Sequence, residues 1–202
     1  MRKLILSSVV VLTLAGCSAS AAATSLGKPE ASDVKSVVVT KSTNKQNALP
    51  NDVRQLTFLE KQARHKKQLL DNKNRVTAVL KKLKKTAGKT WYVFSGSSPS
   101  GWDCSGLVRW TYNQLGVELE HRASIQARSG KKVKTPTPGD IVAFYYPNST
   151  SAYHVGIYLG NGKMINAPRP GTRTAIEPVH TYRLKGSKIT YTQIIKQSPA
   201  TS

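Results

Sequence analysis

Asp103-Cys104-Ser105-Gly106 sets a thiol where a helix begins, because Leu107, Val108, Trp110 and Leu115 follow it at helical spacing. A sulfur at a helix N-terminus faces unpaired backbone N–H groups and the positive end of the dipole, and both favour thiolate. Further along, His154 opens the apolar run Val155-Gly156-Ile157-Tyr158. A strand-borne imidazole facing such a thiol can take its proton and return it to a leaving amine. Asn166 lies beyond the turn Gly160-Asn161-Gly162, where a neighbouring strand can bring its side-chain oxygen to the far ring nitrogen. Cys-His-Asn is a variant of the triad that serves nucleophilic acyl transfer. Each residue taken alone is equally compatible with a buried Cys, a satisfied His and a turn Asn.

The elements that would hold these residues are legible from the pattern around them. Residues 105–115 predict a helix, and 141–145, 155–159, 163–166 and 189–195 predict strands rich in β-branched and aromatic residues. Gly160-Asn161-Gly162 predicts a tight hairpin between two of them. One helix ahead of an antiparallel sheet is an α+β arrangement. Upstream, Val53, Leu56, Leu59 and Ala63, then Val76, Val79, Leu80 and Leu83, predict helix over 51–86. Asp71-Asn72-Lys73-Asn74 interrupts that pattern, so two helices are expected there. Residues 18–50, rich in Ser, Thr, Ala, Lys and Asn, read as a flexible tether.

The chain has 202 residues, 31 Lys and Arg against 10 Asp and Glu, and a net charge of +21. A core is affordable, since hydrophobic residues make up 39%, and collagen-like or wholly disordered chains are excluded. The charge calls for an anionic partner and is spread along the chain: residues 51–89 hold 12 basic and 3 acidic side chains, residues 90–202 hold 13 and 5. The N-terminus narrows the choice. Arg2 and Lys3, the apolar run Leu4 to Leu14, and the small residues after it form a secretory signal too short for a membrane span. Leu14-Ala15-Gly16-Cys17 resembles a bacterial lipobox, in which cleavage before Cys17 leaves its sulfur to carry a lipid. The competing reading is ordinary cleavage near Ala21-Ala22-Ala23. In either case the mature protein is expected outside the cytoplasm, as a membrane-anchored lipoprotein or as a secreted or periplasmic protein. Nucleic acid then drops out as a partner, and Cys104 is left without an intramolecular partner.

Trp91-Tyr92-Val93-Phe94-Ser95-Gly96, then Gly101-Trp102-Asp103-Cys104-Ser105-Gly106-Leu107-Val108, resemble the start of NlpC/p60-type bacterial cell-wall cysteine peptidases. Pro138-Gly139-Asp140-Ile141-Val142 and His154-Val155-Gly156-Ile157-Tyr158-Leu159-Gly160 continue the resemblance in order. It implies a papain-like α+β fold, with Cys104 as nucleophile, His154 as base and Asn166 in the third polar position, which the family often fills with His. It also implies that the Tyr92 hydroxyl assists the oxyanion beside the Cys104 backbone N–H. Asp103 and Ser105 match positions that in some members hold a free amine of the stem peptide, while Asp103 equally suits a helix N-cap. Phe94 and Ser95 depart from the family's usual Trp and Gly. Residues 119–126 keep a basic residue, His121 or Arg122, and Gln126, but lack the usual Pro, and Asp140 reads as a turn residue.

The division expected from these readings is a signal peptide (1–16), a lipidated Cys17 and tether (17–50), a basic helical segment (51–74), an NlpC-type peptidase domain (75–197) and a tail (198–202). The function implied is thiol cleavage of peptidoglycan stem peptides, at the bond between γ-D-glutamate and the following diamino acid, by a monomer. No cofactor is expected, and no His, Asp or Glu spacing suggests a metal. A related thiol amidase or acyltransferase, and an inactive cationic wall-binding protein, are the alternatives.

Overall fold

The computed structural model describes residues 51–197, all within one compact unit. The signal segment, Cys17 and the 18–50 tether lie outside the described residues. Among the described residues no helix is long and apolar enough to cross a membrane.

Helix α1 runs unbroken from Asn51 to Lys84. The expected interruption at Asp71–Asn74 is therefore corrected, and a boundary at 74/75 would fall inside a continuous helix. Asp and Asn cost a helix roughly 0.7 kcal/mol each relative to Ala, too little to stop propagation between Leu69-Leu70 and Val76. Asn72 gains a tertiary partner as well, donating its side-chain N–H to the Lys196 carbonyl at 2.9 Å.

After α1 come a two-stranded ribbon, β1 (Ser97–Ser98) and β2 (Gly101–Trp102), then α2 (Cys104–Asn113) and the single turn α3 (Ala123–Gln126). The main sheet comprises β3 (Lys131–Val133), β4 (Ile141–Tyr145), β5 (Ala152–Gly160), β6 (Lys163–Asn166), β7 (Ala175–Pro178) and β8 (Lys188–Gln193). Its order is β3-β8-β4-β5-β6-β7, and every neighbouring pair is antiparallel. The four expected strands are present, and β5 turns into β6 through Gly160-Asn161-Gly162, all three residues at positive φ. Sequence patterning misses β3, β7 and α3, which are short and carry little periodicity.

Strand β4 lies between β8 and β5 and is buried throughout, which is why it reads as a continuous apolar run instead of an alternating one. On one face of the sheet, Val76, Val79, Leu80 and Leu83 of α1 and Leu107 and Val108 of α2 join Ala143, Val155 and Ile157 in the core. On the other, Val142, Phe144 and Met164 pack beneath Val179 and Tyr182 of a 3₁₀ turn, Val179–Tyr182. The fold is thus α+β with the helix bearing Cys104 packed on an antiparallel sheet, as expected.

Candidate active site

Cys104 is the first residue of α2, and Asp103 is its N-cap, with Oδ1 accepting from the Gly106 N–H at 2.8 Å. The cap fixes the register in which the helix starts and so fixes where the sulfur sits. The backbone N–H groups of Val155, Ser105 and Cys104 itself each act to stabilise the charged form of that sulfur. Val155 follows His154 on β5, so this contact sets the thiol at the strand that carries the imidazole. The Tyr92 hydroxyl is near enough to feel both Cys104 and Asp103. The sequence-predicted Cys104, His154, Asn166, Tyr92, Asp103 and Ser105 are therefore brought together at the mouth of α2.

His154 and Asn166 lie on the same sheet face, on neighbouring strands. His154 Nε2 and Asn166 Oδ1 are 2.9 Å apart. The Asn166 amide N–H donates to the Ala175 carbonyl and to Glu177 Oε2, each at 3.5 Å, so its oxygen is the end left for the ring. Nε2 must then carry the proton, and Nδ1 keeps a free lone pair for the thiol. Gly156 makes room for this pairing, since a Cβ there would stand 3.1 Å from Asn166 Cβ and 3.0 Å from the Ile165 carbonyl oxygen.

Burial works against the donors that favour thiolate at the helix start. Burial pushes the Cys104 thiol up to about 11; the Val155 N–H pulls it back, and the Asp103 charge adds to the rise. Burial likewise pushes His154 down to about 4, against the Asn166 hydrogen bond, which favours the charged ring. The helix N-terminus supplies donors, but loss of solvent outweighs them. Between these values the thiol keeps its proton and the imidazole is neutral, protonated on Nε2 alone. Such a pair reacts by moving the proton from sulfur to Nδ1 as the sulfur attacks.

The Asp103 carboxylate is fully engaged. Besides the Gly106 N–H, Oδ1 accepts from Ser105 Oγ and from His121 Nε2, each at 2.9 Å, and Oδ2 accepts from the Ser95 N–H at 3.0 Å. Burial raises this carboxyl, but those donors more than offset it, and its pKa ends below the usual carboxylate range. The loop before α2 is pressed against the helix, because a Cβ at Gly106 would fall 1.9 Å from the Gly96 carbonyl oxygen. Ser95 stands at φ 59°, a left-handed conformation that explains why glycine suits this position and serine carries strain.

Two neighbours of the site escaped the sequence reading. The Tyr182 ring stacks on His154 with centroids 4.3 Å apart and planes 13° apart. Its place is held by Tyr153, whose hydroxyl donates to the Tyr182 carbonyl at 2.7 Å. Glu177, on β7, stands behind Asn166. Neither has a spacing signal, since each reaches the site through a strand or turn too short to show a period. Among the described residues no cluster of His, Cys, Asp or Glu could hold a metal ion.

The NlpC/P60 family model matches residues 88–192. The chain belongs to the NlpC/P60 family. That family is one of cysteine peptidases, and the match covers Tyr92, Cys104, His154 and Asn166. Among curated relatives, the peptidoglycan endopeptidase RipA of Mycobacterium tuberculosis is 39% identical over 97 residues, covering 47% of this chain and 20% of RipA. A γ-DL-glutamyl hydrolase of Bacillus subtilis is 46% identical over 82 residues, covering 39% of this chain and 20% of the hydrolase. The similarity is thus confined to about a fifth of these longer relatives. Among solved structures, the NlpC/p60 domain of the peptidoglycan hydrolase SagA is 31% identical, with a TM-score of 0.50, and is covered over 98% of its length by 58% of this chain.

Proposed function

We propose that this NlpC/P60 protein is a thiol endopeptidase that cuts peptidoglycan stem peptides between γ-D-glutamate and the following diamino acid. The observation that carries this reading is the His154 ring, fixed through Nε2 by Asn166 with Nδ1 free, beside a thiol that opens a helix. In the proposed reaction Cys104 Sγ attacks the γ-carbonyl while His154 Nδ1 takes its proton. The oxyanion forms near the Cys104 backbone N–H and the Tyr92 hydroxyl. The imidazolium then protonates the departing amine, the C–N bond breaks, and water activated by the same ring releases the acyl group from sulfur. Asp103 and Ser105 serve first as the cap that places the sulfur, and in this reading they border the acyl half of the substrate.

The rest of the reading concerns delivery. The N-terminal signal exports the chain, Cys17 carries the lipid, and the excess of basic residues holds the monomeric enzyme against an anionic envelope surface. Digestion of purified muropeptides by the wild type and by Cys104→Ala, followed by mass spectrometry, tests the activity. The wild type should release fragments with a new diamino acid amine terminus and the variant none; if the wild type releases no new fragment, the peptidase reading fails. Intact mass of the membrane-extracted protein tests the lipid on Cys17.

A further inference from the structure

Tyr182, which stacks on His154, also lines an open cavity of about 710 Å³. Its charged lining is uneven: Arg169, Arg173 and Arg183 against Glu177 alone. Among the described residues none of these guanidinium groups lies within ion-pair distance of a carboxylate. Arg173 is held in place, over the Trp91 ring at 4.3 Å and donating to the Gly88 carbonyl at 3.0 Å. Arg169 and Arg183 are exposed and make no side-chain hydrogen bond among the described residues. Glu177 is turned toward Asn166, so the acid of this cavity also touches the residue that orients the imidazole.

The chemistry of the reaction decides which half of the substrate meets this cavity. An imidazole that returns its proton to the leaving amine must face that amine, so the departing residue lies against His154. The wall that His154 shares with the cavity is Tyr182, and the residue after the scissile bond extends past that ring. A diamino acid of a stem peptide presents one of two side-chain ends. One is an ammonium alone, as in lysine; the other is an ammonium and a carboxylate on one carbon, as in 2,6-diaminopimelate. Three guanidinium groups beside one carboxylate repel the first and complement the second, with planar forks suited to a carboxylate.

We propose that this cavity is the subsite of the leaving diamino acid and that Arg169, flanked by Arg173 and Arg183, receives its side-chain carboxylate, giving preference for diaminopimelate over lysine. The proposal rests on the peptidase reading above. Initial rates on synthetic L-Ala-γ-D-Glu-diaminopimelate and L-Ala-γ-D-Glu-L-Lys test it, with the side-chain amide of the first as a third probe. The wild type should favour the free diaminopimelate peptide by about tenfold or more in kcat/KM over both others, the scale of one charge-assisted hydrogen bond. Arg169→Gln and Arg183→Gln, both at exposed positions, should lower that rate and leave the lysine peptide unchanged or faster. Arg169→Lys should restore part of the preference. Equal rates on the lysine and diaminopimelate peptides, or arginine variants that slow all three probes alike, would overturn the subsite while leaving the peptidase reading standing. Cleavage of none of the probes or muropeptides would remove both.

Discussion

Two imidazoles flank Cys104, and both place Nε2 at 2.9 Å from a side-chain oxygen. His121 has a carboxylate partner, Asp103, and keeps about a fifth of its side chain exposed. His154 has an amide partner, Asn166, and is nearly sealed from solvent at 4% exposure. Equal distances therefore serve different ends. The Asp103 carboxylate also accepts from Gly106, Ser105 and Ser95, so its pair with His121 is one part of a clamp across the start of α2. An amide fixes direction only, which leaves the charge of His154 free to change during a reaction.

Breaking the two pairs separately should give the largest contrast. His154→Ala should lower kcat/KM by about ten-thousandfold, as loss of a triad base does, while His121→Ala should cost about tenfold or less, measured on the same muropeptide. Exchanging the partner's chemistry comes next. Asn166→Asp places a negative charge behind the ring and should move the acid limb of the pH–rate profile upward by a unit or more. Asn166→Ala should instead reduce kcat by about a hundredfold through loss of orientation.

The pairs also predict how stability depends on pH. His154 is depressed from 6.5 to about 4, so the unfolded chain takes up the proton first as pH falls. Its contribution is present above about 6.5 and is lost as pH drops toward 4, to an extent of about 3 kcal/mol. The Asp103 carboxyl is also depressed, and its contribution is lost lower down, as pH falls below the ordinary carboxylate value of 3.8. Urea midpoints at pH 7 and pH 4 should differ by less in His154→Ala than in the wild type. Asp103→Asn removes the charge from the clamp and weakens the cap, costing about 1 kcal/mol at pH 7 in the same assay. The smallest effect is a gain: Ser95→Gly relieves the left-handed backbone next to the clamp and should raise stability by about 0.5–1 kcal/mol.

How far the sequence foretold this arrangement follows from the range of each interaction. Cys104, His154 and Asn166 were visible because each sits on an element with a clear period, and the Gly160–Gly162 turn sets β5 against β6. The role of Asp103 stayed open between amine binding and capping, and its four hydrogen bonds now account for the carboxylate as a cap and clamp. Tyr182 was hidden because nothing local distinguishes it from any other aromatic; its meaning comes from a stacking contact made across the sheet. The pull of the helix terminus on the thiol is legible in the sequence, whereas the burial that opposes it arises only when the chain packs over the sulfur. The continuity of α1 is not legible at Asp71–Asn74 because local propensity there is unfavourable and only the helical neighbours and the Lys196 contact carry the helix through.

That helix has a mechanical consequence. Every described side chain from Asp52 to Gln68 is exposed, and packing against the body starts near Leu69 and Asn72. At about 1.5 Å per residue, the free portion is a strut of roughly 25 Å. Its far end is continuous with Leu80 and Leu83 in the core, so the strut cannot swivel without disturbing the packing behind α2. A force applied at Asn51 would therefore reach the core beneath α2 through a lever arm instead of being absorbed by a loose joint.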